Sequence, residues 1–259
     1  MNLFDRNSFK NKTLIFCVIH YNYECVKVTL NNILNIISKN DDIYMVLIDS
    51  KSQPNIKELF NQVNHPRVDK VSLPINFGYN HSINFYIRDF INNENLPKTI
   101  ISLGADILFS EEDFLKLNDA IQNLPQFGVI GMSYFKNECN PEMNTFFKPK
   151  NYTGTNNQIY SIKRPFLVPV AGGIMGLQGR VLKEDLNYQL FQPKHFPKIF
   201  MKISPVGGAD SALYNALKWR YKMGYLANTT AYHLKSRDNK VIDIPSKFKH
   251  LLNSPVKVT

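Results

Sequence analysis

The chain has 259 residues, of which 44% are apolar and 12% aromatic, a composition that favours a folded globular protein and excludes a disordered one. Its formal charge of +10 is uneven: residues 1–135 carry 12 Lys and Arg against 14 Asp and Glu, whereas residues 136–259 carry 19 against 7. A positive field in one half favours an anionic partner such as nucleic acid, an acidic glycan or an anionic lipid surface. Because no tight Lys/Arg block occurs, solvated lysines in a Lys- and Asn-rich composition are the alternative explanation.

Targeting and redox signals are sparse. No apolar run reaches the roughly 18–20 residues that span a membrane, and the N-terminal stretch lacks the apolar core of a signal peptide. The three cysteines (Cys17, Cys25 and Cys139) are odd in number and lack metal-ligand spacing, which fits a reducing compartment. We therefore expect no transmembrane segment and a cytoplasmic location, in the host cytoplasm if the gene is viral.

The first half alternates between strand-like and helix-like segments. Short apolar runs predict strands at Thr13–His20, Ile43–Ile48, Val68–Leu73, Thr99–Leu103 and Val129–Met132. Apolar residues at helical spacing predict helices at Glu24–Ser38, Ile56–Val63, Ser82–Ile91 and Ser110–Asn123. This alternation predicts an α/β fold with a parallel, doubly wound sheet flanked by helices. In such sheets ligands bind beyond the carboxyl ends of the strands, which is where Asp49 and Asp106 fall.

The second half has a different texture. Residues 136–165 are rich in Asn, Lys, Thr and Pro and predict a long loop, and Leu167–Gly179 is apolar and punctuated by glycine. Asp210–Tyr221 is a predicted helix that Met223-Gly224 ends, Leu226–His233 is a predicted strand, and a basic, Pro-containing tail follows. Since there is no internal repeat and no clean linker, we predict one domain over residues 1–259 with two functional halves, 1–135 and 136–259.

Seven short motifs carry a family resemblance. They are CVIHYN (17–22), LIDSKS (47–52), NFGYNHSIN (76–84), LGADI (103–107), GGIMGLQGRVL (172–182), GGADSALYNALKWRYKMGY (207–225) and AYH (231–233). In this order they resemble the family 2-like inverting glycosyltransferases of the GT-A fold, over roughly residues 13–235. The resemblance implies a Rossmann-like, mostly parallel sheet, a nucleotide-sugar-binding first half and an acceptor-binding second half. It also implies transfer of a sugar from a nucleotide diphosphate, with a UDP-sugar as the first expectation.

The resemblance also implies roles for single residues. Asp106 and His233 would hold Mn²⁺ or Mg²⁺, and Asp210 would be the general base. The residues expected to bind the nucleotide or donor sugar are His20, Tyr21, Asn22, Asp49, Asn76, Gly78, Asn84, Gly104, Ala105, Gly172 and Gly173. Structural alternatives exist: Asp49 could form a turn, Asp106 and Asp210 could cap helices, and His233 could be structural. The two adjacent glycines could equally form a strand kink.

Two positions depart from the family pattern. Gly104 stands where the family has the first Asp of its metal motif, and Ala209 stands where it has a Glu before the base. Asp106, Asp210 and His233 keep a minimal catalytic set. The alternative is a catalytically degenerate GT-A fold that binds nucleic acid or a sugar nucleotide without turnover.

The acceptor is predicted from charge. A basic second half predicts a polyanionic acceptor with a hydroxyl group, such as hydroxymethylated bases in phage DNA or a phosphate-rich cell-surface glycan, with a protein or small molecule as further alternatives. The weakest candidates for acceptor contacts are Trp219, Arg220, Lys235 and Arg237. Trp219 is instead a core residue in the simpler interpretation, although Lys218 and Arg220 flank it. The oligomeric state is left open.

Overall fold

A computed structural model of the chain describes residues 4–135, 148–165, 170, 173–192, 209–237 and 240–256. A ten-stranded sheet organises these residues, and helices flank it. The main hydrophobic core lies between the sheet and the helices, and buried aliphatic and aromatic side chains form it. The predicted α/β fold is therefore confirmed.

One half of the sheet is parallel. It contains β1 (Thr13–Ile19), β2 (Ile43–Ser50), β3 (Val68–Leu73) and β4 (Thr99–Leu103), in the spatial order β3-β2-β1-β4. The connecting helices are α1 (Tyr23–Lys39), α2 (Pro54–Gln62) and α3 (Gly78–Phe90). β1 and β4 are buried along their whole length, which explains their nearly continuous apolar sequences. The parallel pairing brings the carboxyl ends of β1, β2 and β4 to one edge of the sheet.

The other half of the sheet mixes directions. Its elements are β5 (Ile107–Phe109), α4 (Glu111–Asn123), β6 (Phe127–Tyr134), β7 (Lys150–Thr153), β8 (Ile159–Lys163), β9 (Ile174–Gln178), α5 (Gly179–Glu184), α6 (Ala209–Leu217) and β10 (Lys222–His233). The order continues β4-β9-β6-β10-β8-β7, and β5 also pairs with β10. β9 is antiparallel to both of its neighbours, whereas β10 is parallel to β6.

Two expectations for this half need correction. The described part of the predicted 136–165 loop, residues 148–165, contains the antiparallel hairpin β7–β8. Gly224 does not end a helix, because α6 already ends at Leu217 and Gly224 lies inside β10. A Cβ atom at Gly224 would lie 2.4 Å from the side chain of Ile162, so the glycine allows β8 to pack closely. Residues 136–147 and much of the Leu167–Gly179 segment lie outside the described residues.

The basic tail contains short regular elements. It forms a hairpin of β11 (Lys235–Arg237) and β12 (Lys240–Asp243), then a 3₁₀ turn (Ser246–Phe248) and α7 (His250–Asn253). A second hydrophobic cluster packs this segment against α1, and it consists of Cys25, Val28, Leu108, Leu234, Phe248 and Leu251. The Asn31 side-chain amide on α1 also donates hydrogen bonds to the carbonyl oxygens of Leu251 and Ser254.

Across the part of the chain described here, every helix is too short or too polar to cross a lipid bilayer.

Candidate active site

A cleft of about 400 Å³ opens at the carboxyl ends of β1, β2 and β4. This is the edge at which an open α/β sheet binds ligands. The predicted site residues that line it are His20, Tyr21, Asn22, Asn76, Gly78, Gly104, Ala105, Asp106, Gly173 and Asp210. Residues from five separate segments of the chain therefore meet in one concave site.

Asp106 and His233 form a polar contact at this edge. Asp106 ends the short connection between β4 and β5, and the antiparallel pairing of β5 with β10 sets Ile107 opposite His233. The Nε2 atom of His233 lies 3.1 Å from Oδ2 of Asp106. The hydrogen bond to this carboxylate raises the pKa of His233 above its ordinary value. Both side chains keep about a third of their surface accessible, 37% for Asp106 and 36% for His233.

The donor atoms of this pair fit a divalent cation. A carboxylate oxygen and an imidazole nitrogen suit Mn²⁺, and Mg²⁺ accepts the oxygen more readily than the nitrogen. The two donor atoms are 3.1 Å apart, so both side chains would hold the same cation. Among the described residues, no group of three or more His, Cys, Asp or Glu side chains is arranged to hold a metal ion, so phosphate and water oxygens would have to complete the coordination.

Asp210 lies in the first turn of α6 and lines the same cleft. Its Oδ1 accepts a hydrogen bond of 2.8 Å from the backbone N–H of Ser211. Burial raises the pKa of Asp210 above that of an ordinary carboxyl group, and this hydrogen bond opposes the shift only in part. A carboxylate with raised proton affinity is suited to accept a proton during catalysis.

A hydrogen-bonded rim forms the wall next to β1 and β2. Oδ1 of Asn76 accepts hydrogen bonds from the Ser50 hydroxyl (3.1 Å) and the Gly78 N–H (2.8 Å). Nδ2 of Asn76 lies 3.0 Å from Nε2 of His20. Gly78 has a φ of +73°, a conformation that favours glycine, and it begins α3 at the cleft. The rim is a hydrogen-bonded polar edge of the cleft.

Sequence reasoning missed several lining residues, namely Val18, Cys25, Ser50 and Tyr79. Burial raises the pKa of the Cys25 thiol to about 11, so this thiol is protonated and unreactive near neutral pH. The Tyr79 hydroxyl lies 2.5 Å from the Ser102 hydroxyl on β4. Ser50 follows Asp49 in the LIDSKS motif, and the sequence contains no pattern that marks this serine as a residue of the site.

Two residues that were predicted to bind the nucleotide or donor sugar, Asp49 and Asn84, form hydrogen bonds outside the cleft. The side chain of Asp49 is only 2% exposed and accepts hydrogen bonds from Lys57 (2.6 Å), the Ser72 hydroxyl (2.8 Å) and Ser52. Asn84 exchanges a pair of hydrogen bonds with the backbone of Phe191. Neither residue is among those lining the cleft. Gly172 lies outside the described residues.

Among the weak acceptor candidates with described side chains, Trp219, Arg220 and Lys235 are not among the residues that line the cleft. Trp219 is 88% exposed, so the core interpretation of this residue is wrong. Trp219 and Arg220 follow the end of α6 opposite to Asp210, and the guanidinium of Arg220 contacts the Asp185 carboxylate at 2.5 Å. Lys235 and Arg237 lie in β11, directly after His233 along the chain.

Gly104 is tightly enclosed. Its N–H donates to the Gly173 carbonyl oxygen at 2.7 Å. A Cβ atom at Gly104 would lie 2.9 Å from Oδ1 of Asp106 and 3.3 Å from the Gly173 oxygen. A side chain at this position would therefore require the Asp106 carboxylate to move and would press on the Gly173 oxygen.

Comparison with known proteins gives a family and a fold. Residues 15–176 match the sequence pattern of Glycosyl transferase family 2. Among curated proteins, no sequence matches the chain significantly.

Three solved structures illustrate the structural similarity. A mannosyltransferase from Pyrobaculum calidifontis, PcManGT in complex with GDP-Man and Mn²⁺, superposes with a TM-score of 0.58 at 12% identity, over 90% of this chain and 60% of that one. S. aureus TarS 1-349 in complex with UDP-GlcNAc gives 0.56 at 15% identity, over 93% and 64%. GalNAc-T7 with UDP, GalNAc and Mn²⁺ gives 0.61 at 12% identity, over 89% and 45%. The chain thus spans less than two thirds of the length of each, and at these identities the likeness shows the shared fold.

Proposed function

The chain belongs to glycosyl transferase family 2, and we propose that it is a metal-dependent inverting glycosyltransferase acting on a nucleotide-diphosphate sugar. The observation that carries the proposal is the convergence of Asp106 and Asp210 on one cleft, with His233 bonded to Asp106. These residues come from three distant segments. A carboxylate–imidazole pair next to a second, desolvated carboxylate supplies the two functions that such a transfer needs, a cation site and a base.

In the proposed reaction Asp210 is the general base. An acceptor hydroxyl attacks the anomeric carbon, its proton passes to the Asp210 carboxylate, and the bond from that carbon to the diphosphate oxygen breaks. The nucleoside diphosphate leaves with the bonding electrons. Because attack comes from the face opposite the leaving group, one base on that face is sufficient and the configuration inverts. Burial of Asp210 raises its proton affinity, which favours this role.

Asp106 and His233 are the residues that would hold Mn²⁺ or Mg²⁺. The bound cation would supply electrostatic stabilisation of the charge that grows on the departing diphosphate. The preference of an imidazole ligand makes Mn²⁺ the first ion to test. The presence of Mn²⁺ in the structures of PcManGT and GalNAc-T7 supports the same choice.

The donor proposed first is a UDP-sugar. Support comes from the uridine nucleotides in the TarS and GalNAc-T7 structures, while the GDP-Man in PcManGT makes a guanosine donor the alternative. Tyr21, with 60% of its surface exposed at the cleft, offers a ring on which a base can stack. The His20–Asn76 rim offers hydrogen-bonding groups beside it.

The acceptor proposed is a hydroxyl group on a polyanion. Residues 136–259 contain 19 basic and 7 acidic side chains, and this positive excess would attract a negatively charged polymer. Hydroxymethylated DNA and an anionic cell-surface glycan are the two acceptors to test. A cytoplasmic location and the division into nucleotide-binding and acceptor-binding halves remain predictions.

A thermal-shift screen tests the donor site. UDP-, GDP-, dTDP- and CDP-sugars are added with and without Mn²⁺ to the wild type and to Asp106→Ala. A ligand at about 100 times its Kd stabilises the native state by about 2.7 kcal/mol, equivalent to roughly 5–10 °C in Tm for a chain of this size. We expect one nucleotide class to give an Mn²⁺-dependent shift that the variant lacks. No shift with any donor would contradict the proposal.

A second candidate is a catalytically degenerate fold that binds a sugar nucleotide or nucleic acid without turnover. The observation in its favour is Gly104, which stands where the family's metal motif has a carboxylate. A side chain at this position would press on the Asp106 carboxylate and the Gly173 oxygen. Slow Mn²⁺-dependent hydrolysis of the donor, abolished by Asp210→Asn, would exclude this candidate. Tight donor binding without hydrolysis or transfer would support it.

A further inference from the structure

A second surface combines aromatic rings with lysines, and we call it the Trp219 surface. It consists of Tyr152, Lys218, Trp219 and Lys222. The ammonium group of Lys218 lies 5.4 Å from the ring centre of Trp219, and that of Lys222 lies 5.0 Å from the ring centre of Tyr152. Trp219 exposes 88% of its surface, more than any other large hydrophobic side chain among the described residues. The exposed indole is therefore available to contact a ligand.

The Trp219 surface is separate from the donor cleft. β10 begins at Lys222, opposite Phe127 of β6, and reaches Ala231 opposite Tyr134. The seven residue steps of β6 between these pairs span about 23 Å. His233 lies beyond the far end of this distance. Asp210, which lines the cleft, is nearer, because it lies in the first turn of α6 and Trp219 follows the opposite end of that helix. None of the residues of the Trp219 surface is among those lining the cleft.

The charge of the surface is positive and only partly neutralised. Arg220 and the Tyr221 hydroxyl contact Asp185, so the charge of Arg220 is balanced locally. Lys218 donates a hydrogen bond to the neutral side-chain oxygen of Asn215 and makes no ion pair among those observed in the described residues. Lys150 extends the positive region, because it precedes Tyr152 by two residues and so faces the same side of edge strand β7.

We propose that the Trp219 surface binds single-stranded nucleic acid. Flat bases alternating with phosphates match an exposed indole flanked by ammonium groups, since bases stack on aromatic rings while lysines attract the backbone. An acidic glycan offers the charge without a planar ring, and a neutral glycan leaves the lysines unmatched. The proposal goes beyond the glycosyltransferase activity and does not depend on it.

Trp219 is the single tryptophan of the chain, so the intrinsic tryptophan fluorescence reports on this surface. The full-length protein is titrated with a 12-residue oligothymidylate at low salt, and the intrinsic fluorescence is measured. Two comparison polymers are an abasic phosphodiester oligomer of the same length and alginate, an acidic glycan. We expect saturable quenching by the oligothymidylate and at least fivefold weaker binding of either comparison polymer.

Variants separate stacking from charge, with binding followed by the anisotropy of a labelled oligothymidylate. Trp219→Ala should weaken binding about tenfold, as expected for the loss of one stacked base. The double variant Lys218→Gln/Lys222→Gln should reduce the slope of log affinity against log salt by about 1.4, or 0.7 per phosphate contact. Lys39→Gln/Lys116→Gln removes the same charge from α1 and α4 and serves as the control.

The outcomes are distinct from those of the donor test. Absence of saturable quenching, equal binding of the abasic oligomer or tighter binding of alginate would overturn the proposal. An equal loss of affinity in the control pair would also overturn it, since the attraction would then be diffuse. The Mn²⁺-dependent donor shift should be the same in all these variants. A failure of the donor shift therefore leaves the nucleic-acid result interpretable.

Discussion

The Nε2 atom of His233 lies 3.1 Å from Oδ2 of Asp106, although 127 positions of sequence separate the two residues. The pairing of β5 with β10 produces this contact, because Ile107 and His233 face each other across the two strands. The backbone N–H of Leu234 also donates a hydrogen bond to the carbonyl oxygen of Asp106. The relative position of carboxylate and imidazole is thus set by backbone hydrogen bonds on both sides, which would preorganise the proposed cation site.

The first prediction concerns this pair. Asp106→Ala and His233→Ala should each weaken Mn²⁺ binding at least tenfold, because each removes one of the two protein ligands. Titration of free Mn²⁺ followed by electron paramagnetic resonance, in the presence of UDP, measures the effect without relying on activity. Asp42→Ala is a suitable control, because Asp42 is an exposed carboxylate paired with Lys12. Wild-type Mn²⁺ affinity in either site variant would refute the assignment.

The second prediction concerns the base. Asp210→Asn should lower sugar transfer about 100- to 10,000-fold, the usual contribution of general base catalysis. Donor affinity should change little, because the amide keeps the shape of the side chain and can still accept the hydrogen bond from Ser211. Single-turnover transfer assays and donor titrations measure the two effects separately. A variant with near-normal transfer would show that another group accepts the proton.

The third prediction is a pH dependence of stability at the same residue. Burial raises the pKa of Asp210 in the folded protein above its unfolded value. The unfolded chain therefore loses this proton first as the pH rises, so the stability of the wild type falls between the two pKa values. The Tm advantage of Asp210→Asn should grow as the pH increases from about 4 and level off above the raised pKa. Differential scanning fluorimetry across this range tests the sign, and an advantage that shrinks with rising pH would contradict it.

The sequence predicted the parallel half of the fold well. The strand Thr99–Leu103 matches the structure because a buried parallel strand has a compact apolar sequence that short-range patterns reveal. The strand Val68–Leu73 also matches, although it is a partly exposed edge strand. The hairpin β7–β8 was missed because its first strand lies at an exposed edge and is polar. β5 was missed because it has only three residues and follows Asp106 directly.

The candidate site was only partly predictable. The order of Asp106, Asp210 and His233 suggested a shared site through family resemblance, but their distances depend on pairing across the sheet, which local sequence does not encode. The sequence also gave no indication that Lys57 on α2 and Ser72 on β3 donate hydrogen bonds to the carboxylate of Asp49. The exposure of Trp219 was unpredictable for a similar reason, since apolar content alone favours burial.

The fourth prediction tests the role of Asp49. Burial alone would raise the pKa of this carboxyl, but the hydrogen bonds from Lys57, Ser52 and Ser72 outweigh it and hold the pKa below its ordinary value. Such a group stabilises the fold above its unfolded pKa, and this stability is lost as the pH falls through the lowered value. Asp49→Asn should therefore lower the free energy of unfolding by about 1–3 kcal/mol at pH 7 and by less at pH 3.

Lys57→Met is the matched test of this network, because it removes the cation and keeps an unbranched apolar side chain of similar reach. Urea unfolding at the two pH values measures both variants. A structural role predicts loss of stability in both with unchanged affinity for the nucleotide. A loss of nucleotide affinity in Asp49→Asn without loss of stability would instead restore Asp49 as a nucleotide contact.

The fifth prediction addresses Gly104. If the only effect of Gly104 were the absence of a catalytic carboxylate, Gly104→Asp should raise activity. The structure predicts the opposite, because a Cβ atom at this position would lie 2.9 Å from Oδ1 of Asp106, closer than such atoms approach, and 3.3 Å from the Gly173 oxygen. Overpacking of this kind costs about 1–3 kcal/mol and displaces the neighbouring groups.

Gly104→Ala separates the steric effect from the charge, since it adds the Cβ atom alone. We expect both variants to weaken Mn²⁺ binding, and Gly104→Asp to do so no less than Gly104→Ala, because a second side chain displaces the Asp106 carboxylate from the geometry that faces His233. Mn²⁺ titrations on both variants, with Tm measured beside them, check this order. Tighter Mn²⁺ binding in Gly104→Asp than in the wild type would contradict this order. It would show that the site can accommodate a second carboxylate and that the glycine weakens metal binding.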